Sequence, residues 1–436
     1  MCTLFSRARR PNAPRNRNLE LQVDTMLSLE YPEIYHEAVR FPGGIHCVRV
    51  PGEGTLRLIV KLPVSYLLPA KINRGFKIYV VPVELHEGPT LGLMCAFFDD
   101  SENPLTSWRL LADDDETLDL MHALSKNEVL VHIFDDRSRE LLGYRAEVDV
   151  PLMAKVRLEH ANFPELMDES FGLAYEHGNL WFSMRQEQDD AEAIHVRFVE
   201  PLFSEDLVIS DARPEMYQFH GGQGYANTSL ERTEPGAYQE LDIILMLQRV
   251  FRPEQIYHAP KRHYDKEEIA DVVVITEDLC LIVQAKDSPN TEQTLQRKLE
   301  RKKQTSVHQL TAGLRQVRGA IGYLRATRPL RMILGDHEVT IDISNHTVLS
   351  LVVVRELFID TYAEYSRALF DTFDTTQQPC IALDYSELHS YTTFCPSQDA
   401  FLGAYFQVFD TARELGEFPR LRFGARDVRA LWDKGE

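Results

Sequence analysis

The sequence predicts an α/β fold for its C-terminal half, a mixed sheet flanked by helices, preceded by a β-rich α+β domain. Three observations predict this. Residues 271–286 (DVVVITEDLCLIVQAK) form an apolar run broken once, at Glu277-Asp278, and apolar on both faces of a hairpin. Helical and strand patterns alternate after residue 234, and short strand patterns dominate before residue 205. A hairpin that is apolar on both faces is typical of central strands covered by helices.

The N-terminal part divides into three segments. Residues 1–20 are predicted to be a flexible tail. Because residues 1–18 are rich in Arg and contain no acid, they also suit an organelle transit sequence or a basic arm that binds nucleic acid. Residues 21–205 are predicted to be a β-rich recognition or partner domain, and residues 206–233, rich in Gly, Asn, Ser and Thr, a linker. The strands expected in this domain are 56–62, 76–85, 91–98, 129–134 and 142–150, with a polar turn at 135–139 and a helix at 117–124.

The C-terminal domain, residues 234–436, contains both kinds of element. A helix is expected at 235–251, with Pro235 in its first turn, where a missing amide hydrogen is harmless. A long helical region is expected at 291–324, and further helices at 361–370 and 399–415. The expected strands are 255–258, the hairpin of 269–285, 347–354 and 380–383.

Composition limits the classes of function. The chain has 436 residues, 44% hydrophobic and 26% charged, which suits two globular domains. Its six cysteines form no CxxC pair, which argues against zinc and against a secreted disulfide framework. No apolar stretch reaches the length of a membrane span, so we expect a cytoplasmic protein without a membrane partner. The net charge of −20 weighs against nucleic acid covering the whole surface but allows a local basic surface.

The hairpin places three polar groups together. Folding about Glu277-Asp278 sets Asp271 opposite Gln284, and Lys286 lies on the same face as Gln284 because side chains alternate along a strand. An acid, an amide oxygen and an amine gathered in this way can hold a divalent cation beside a water. The alternative is that these polar ends mark only where burial stops.

The helix before the hairpin contributes a carboxylate. Glu240 shares a helical face with Ile243, Ile244 and Leu247, the face expected to pack toward the sheet. A buried carboxylate is costly unless it is paired or binds a metal. The alternative is an acid tolerated near the positive end of the helix dipole.

These residues resemble the PD-(D/E)xK nuclease superfamily, most closely its Mrr-like branch, in which QxK commonly replaces ExK. The resemblance rests on GAYQE at 236–240, Asp271 at the head of a strand, Gln284-Ala285-Lys286 and a basic helix behind them, and it covers residues 230–420 in order of elements. It implies a restriction endonuclease-like fold and a metal-dependent endonuclease acting on nucleic acid, DNA above all, in restriction, antiphage defence or repair. The alternative is a catalytically inactive scaffold or interaction protein of the same fold.

The resemblance also implies a role for each residue at the site. Mg²⁺ or Mn²⁺ would be bound by Asp271, the Gln284 side-chain oxygen and the Ala285 carbonyl, with Glu240 binding directly or through water. Lys286 would orient the attacking water or help to deprotonate it. Gln284 departs from the commoner acidic pattern and lowers the negative charge at the metal.

Basic residues dominate 295–331, where Glu300 is the single acid. Their helical spacing predicts contacts with the phosphates of a nucleic acid, although such a run is most often a solvated helix face. The residues expected to bind phosphate are Lys302, Lys303, Arg315, Arg318 and Arg325, with Gln309 at the edge of the active site.

Other polar groups are interpreted as structural. The acids at 113–116 and 189–190 do not match a calcium loop, and the fifteen histidines contain no HExxH arrangement. The sequence leaves open whether a protein partner binds the N-terminal domain and whether the chain forms a homo-oligomer.

Overall fold

A computed structural model describes residues 2–5, 26–98, 104–161, 163–165, 168–211, 213–222, 226–232, 236–287, 291–295, 297–420 and 423. The architecture is mixed α/β, with several sheets flanked by helices. The predicted fold class is therefore confirmed at this level.

The N-terminal half has eleven strands among its described residues. They are β1 (Cys2–Phe5), β2 (Gly44–Arg49), β3 (Leu56–Leu62), β4 (Gly75–Leu85), β5 (Gly88–Phe97), β6 (Leu105–Leu110), β7 (Glu128–Asp135), β8 (Glu140–Asp149), β9 (Ile194–Pro201), β10 (Val208–Asp211) and β11 (Ala226–Ser229). Eight of them form one sheet in the order β2-β3-β7-β8-β9-β4-β5-β6. The five predicted strands are all present, and β7 and β8 form the predicted hairpin.

This half is more helical than the sequence predicts. Its helices are α1 (Leu27–Glu30), α2 (Pro32–Arg40), α3 (Val64–Ile72), α4 (Asp115–Leu124), α5 (Leu152–Glu159), α6 (Asp168–Ser183) and α7 (Glu187–Glu192). Only α4 was expected. The hydrophobic pattern alone did not reveal α3, because this helix contains Pro69 and buries Leu67, Leu68 and Ala70 in succession, without a single apolar stripe.

The predicted tail and linker meet in a small sheet. Strand β10 pairs antiparallel with β1 on one side and β11 on the other, so residues 2–5 of the expected flexible tail form a paired strand. The rest of that tail, residue 1 and residues 6–20, lies outside the described residues. The 206–233 segment contains two strands and the 3₁₀ turn Pro214–Tyr217, so its described part is structured rather than an open linker.

The C-terminal half contains eight strands and six helices among its described residues. The strands are β12 (Ile256–His258), β13 (Lys261–Arg262), β14 (Val272–Ile275), β15 (Leu279–Lys286), β16 (Leu330–Leu334), β17 (His337–Ile341), β18 (Thr347–Val354) and β19 (Cys380–Asp384). The helices are α8 (Gly236–Leu247), α9 (Glu292–Leu295), α10 (Leu299–Ala326), α11 (Tyr362–Thr376), α12 (Tyr385–Phe394) and α13 (Gln398–Leu415). The sequence pattern missed β13, the β16–β17 hairpin and α12.

A five-stranded sheet, in the order β12-β14-β15-β18-β19, forms the core of this half. The β14–β15 register is the predicted one, from Ile275 opposite Cys280 to Val272 opposite Val283. Strand β18 then pairs parallel with β15, and β19 parallel with β18. The sheet is therefore mixed, and the buried residues of β14 and β15 confirm that the hairpin is central.

Helix α10 lies close to the sheet at Gly313. A Cβ atom added there would stand 2.6 Å from Val352 Cγ1 and 3.3 Å from Lys286 Cγ, whereas one added at Gly319 on the same helix would meet nothing within 4 Å. The absent side chain at position 313 thus lets the helix pack directly over β15 and β18.

The two halves are joined through the turn between β7 and β8. Arg137 from this turn donates to Asp242 Oδ1 at 2.5 Å and to the Tyr385 hydroxyl, over whose ring its guanidinium lies at 5.1 Å. Arg139 and Arg232 lie 3.6 and 3.5 Å from the same carboxylate. Although burial favours its neutral form, these three guanidinium groups hold the pKa of Asp242 well below its usual range.

The contact at Gly313 can be tested with a matched pair of variants. We expect Gly313→Ala to lower the free energy of unfolding by ~1–3 kcal/mol, because Val352 must move to admit the methyl group. Gly319→Ala should instead raise stability, by up to ~1 kcal/mol, through helix propensity alone. Urea denaturation of the full chain measures both. Equal shifts of the two variants would contradict the close approach.

The Asp242 interaction predicts a pH-dependent loss of stability. Asp242→Asn should destabilise the protein by ~3–5 kcal/mol at pH 7, because three arginines lose a buried partner. The pKa of Asp242 is depressed in the folded state, so its contribution is present above the unfolded pKa and declines as pH falls below ~4. Denaturation curves at neutral and acid pH should therefore show the gap between wild type and variant narrowing in acid. A gap independent of pH would count against this account.

Candidate metal and nucleic-acid site

The open end of the β14–β15 hairpin, opposite its turn and called the hairpin head below, brings three of the predicted groups together. Asp271, immediately before β14, is 6% exposed, and its Oδ2 accepts from the Ala285 amide at 2.5 Å. Lys286 Nζ lies 3.4 Å from the same oxygen and donates to the Ala285 carbonyl at 2.8 Å. The acid, the backbone carbonyl and the amine therefore form one contact group at the carboxyl end of β15.

Gln284 is buried beside this group. The outermost pair of the hairpin is Val272 opposite Val283, and the next step along both strands sets Gln284 opposite Asp271. Its side chain is 2% exposed, and Oε1 accepts no hydrogen bond from the described residues. A buried amide oxygen without a donor costs ~1–3 kcal/mol. A cation or an ordered water would satisfy this atom.

Glu240 does not lie directly in that group. It projects from α8 with its side chain 25% exposed, and Oε2 lies 2.9 Å from Nε2 of His258. His258 is in β12, opposite Val272 and so next to Asp271 along the sheet. The pair therefore borders the hairpin head. The sequence pattern missed this role of His258, because its position at the end of a short strand predicts no partner.

A second acid at the site was not predicted. The carboxyl group of Glu268 hydrogen-bonds with that of Asp271 and lies within electrostatic range of Glu240 and Lys286. Partial burial of this carboxyl, together with the Asp271 carboxyl beside it, raises the pKa of Glu268, and Lys286 opposes the effect. The residue as a whole stays exposed, so the acid stands at the solvent side of the group.

The donor set fits a magnesium-type cation held mainly by water. No three side chains of His, Cys, Asp or Glu in the described part of the chain stand close enough to hold a metal by themselves. The available oxygens are those of Asp271, Gln284 and the Ala285 carbonyl, with Glu268 beside them. Mg²⁺ is commonly bound by one or two carboxylates and keeps several waters. The unsatisfied Gln284 oxygen is the feature that favours such an ion.

The basic helix has two kinds of residue. Arg318 donates to Thr372 Oγ1 at 3.2 Å and Arg325 donates to the Thr376 carbonyl, so both tie α10 to α11. Lys303 pairs with Asp360 and with Glu300. These contacts give three of the expected phosphate-binding residues structural partners. All of these partners except Glu300 lie on distant elements, so the sequence could not show them.

Two of the other expected residues line a cleft between the halves. Lys302 and Gln309 border a space of about 50 Å³ together with Arg297 and Arg355, and Ser65 closes it from the N-terminal half. A larger cavity of about 240 Å³ shares Ser65 and Arg355 and extends past Asp287 and Tyr385. Both spaces border the carboxyl ends of parallel strands, where open α/β sheets commonly bind ligands. The remaining residue expected to bind phosphate, Arg315, is exposed on α10.

The sequence matches no known family profile, and no curated protein shows significant similarity to it. None of the described helices is long and apolar enough to span a bilayer.

Four arginine and lysine variants separate binding from packing. If α10 binds nucleic acid as the sequence predicts, Lys302→Ala and Arg315→Ala should weaken binding of labelled DNA and lower the slope of log affinity against log salt by about one each. Arg318→Ala and Arg325→Ala remove the same charge from the same helix but should chiefly lower stability, by about 1 kcal/mol, because each loses a hydrogen bond to α11. Fluorescence anisotropy across a salt series, with urea denaturation alongside, measures both effects. Identical salt slopes for all four variants would argue against this division.

Proposed function

We propose that this chain is a metal-dependent endonuclease with a restriction endonuclease-like C-terminal domain, hydrolysing phosphodiester bonds of nucleic acid, with DNA as its substrate. One observation carries the proposal. Asp271, the Ala285 carbonyl and Lys286 meet at the head of a central hairpin, beside a buried Gln284 oxygen that accepts no hydrogen bond from the described residues. An acid, neutral oxygens and an amine in this arrangement suit the PD-(D/E)xK chemistry that the sequence resembles.

Each group has a chemical task under this proposal. Asp271, Gln284 and Ala285 would hold Mg²⁺ or Mn²⁺, which would stabilise charge on the phosphate and lower the pKa of a bound water. Lys286 would orient the attacking water and offset developing charge on the phosphate oxygens. Its ammonium lies against Asp271 Oδ2 and the Ala285 carbonyl, so it is held at the place where these ligands converge.

The choice of a nucleic acid substrate rests on the cleft and the basic helix. Lys302, Arg297 and Arg355 line the cleft, and α10, which borders it, passes directly over Lys286 at Gly313. Of these cations Lys302 lies on the helix and the two arginines lie beside it in the cleft, and such a group suits a phosphate backbone better than a small neutral substrate. The buried cysteines Cys47, Cys95, Cys280, Cys380 and Cys395 form no disulfide bond, which suits the reducing cytoplasm in which such an enzyme would act.

The alternative is a nuclease-like scaffold without catalysis. It is favoured by contacts that already engage the groups of the site: Glu240 is bonded to His258, and the ammonium of Lys286 is bonded to Asp271 and Ala285. In that case the same residues would stabilise the hairpin head and the N-terminal half would provide the binding surface.

Cleavage of plasmid and oligonucleotide DNA with Mg²⁺ or Mn²⁺ distinguishes the two. We expect the wild type to cut, chelation by EDTA to stop cutting, and Lys286→Ala to lower the rate by ~100-fold or more, as for loss of a group in proton transfer. Lys126→Ala, at an exposed position between α4 and β7, is the control for loss of a lysine away from the site and should cut normally.

Circular dichroism and denaturation should show Lys286→Ala folded, because the Asp271 carboxylate keeps its bond to the Ala285 amide. Equal rates for Lys286→Ala and wild type would remove the proposed active site. A folded wild type that cuts neither DNA nor RNA with either metal would favour the scaffold.

A further inference from the structure

Strand pairing next to the site contains an extra residue. His258 is opposite Val272, and Lys261 is opposite Glu268, so three steps along one strand match four along the other. Between these pairs, the Ala259 amide donates to the Asp271 carbonyl at 2.9 Å and the Ile269 amide to the Pro260 carbonyl at 2.8 Å. This mismatch is a β-bulge, a feature that redirects side chains and is common next to active sites.

The bulge determines which way Glu268 faces. In a regular strand, residues three apart point to opposite faces, and Glu268 would point away from Asp271. With one extra residue between them, the Glu268 carboxyl instead comes into hydrogen-bond contact with that of Asp271. Glu240 and Lys286 are its other charged neighbours. The three charged groups with the largest influence on Glu268 thus belong to the candidate site or border it.

We propose that Glu268 is a metal ligand, the second carboxylate of the site, which supplies the negative charge that Gln284 does not. The inference rests on the proposed function in taking Asp271 as the first ligand. Two carboxyl groups in contact repel each other unless a proton or a cation lies between them. The neighbouring Gln284 oxygen, 2% exposed and unpaired among the described residues, indicates the same ligand independently.

The chemistry of hard cations supports a site with two carboxylate ligands. Divalent cations of the Mg²⁺ class take carboxylate, amide and carbonyl oxygens, and affinity rises with the number of charged ligands. Asp271 alone would neutralise half of the cation charge, whereas Asp271 with Glu268 neutralises all of it. Glu268 is also exposed, so this acid is open to the solvent from which a cation would come.

Direct measurement of Mn²⁺ binding by electron paramagnetic resonance tests the ligand role without using activity. Full-length wild type, Glu268→Gln, Asp271→Asn and the control Glu267→Gln would be titrated with Mn²⁺ alone. Glu267 is the adjacent acid and pairs with Arg262, so its variant removes the same charge one residue away. We expect Glu268→Gln to weaken binding by at least the ~10-fold that follows loss of an outer-shell partner, and Glu267→Gln to bind as wild type.

The outcomes separate this inference from the nuclease proposal. Wild-type affinity in Glu268→Gln, together with loss in Asp271→Asn, overturns the role of Glu268 and leaves the nuclease proposal standing. Absence of Mn²⁺ binding in the wild type overturns both. Binding that depends on Glu268, in a protein that cuts no nucleic acid, supports the ligand and refutes the nuclease. Denaturation curves confirm that each variant is folded, and Glu268→Asp, which keeps the charge, should recover part of the affinity.

Discussion

The antiparallel pairing of β14 with β15 positions the central groups of the candidate site. Its register sets Asp271 beside Gln284 and turns Lys286 to the same side, where the Ala285 amide and carbonyl complete the contacts. A slip of one residue would send Asp271 to the opposite face of the sheet. The buried residues on both sides of the hairpin prevent that slip, because either face would lose its packing. Core packing and site chemistry therefore depend on the same backbone hydrogen bonds.

Helix α8 connects this hairpin to the N-terminal half. Glu240 on one side of the helix bonds to His258 beside the hairpin, while Asp242, two residues later, receives Arg137 from the β7–β8 turn. Arg139 and Arg232 lie near the same carboxylate, so the attachment is an extended ionic network rather than a single pair. The N-terminal half also contributes Ser65 to the cleft beside α10. Both halves consequently shape the surroundings of the proposed active site.

The sequence predicted what depends on local pattern. The alternation of elements in the second half, the hairpin register and the central place of the hairpin all follow from side-chain period and turn chemistry, and the structure confirms them. The sequence could not predict the place of Glu268. A bulge changes the face of the sheet to which a residue points, and nothing in the pattern around residue 270 indicates a bulge. Likewise, the helical spacing of Arg318 and Arg325 is visible in the sequence, but their hydrogen bonds to Thr372 and Thr376 are not. The polar turn containing Arg137 was expected as a turn, and its partner on a distant helix was not.

Gly313 affects more than the distance between α10 and the sheet. With no side chain there, the helix backbone covers the aliphatic stem of Lys286 near Cγ, while Asp271 and the Ala285 carbonyl hold its ammonium end. A free lysine side chain gives up ~1.5–2 kcal/mol of rotamer entropy when it is fixed in one conformation. Here much of that loss is incurred when the chain folds. Under the proposed function, the amine would meet an incoming phosphate already oriented, and binding energy would be left for the substrate itself.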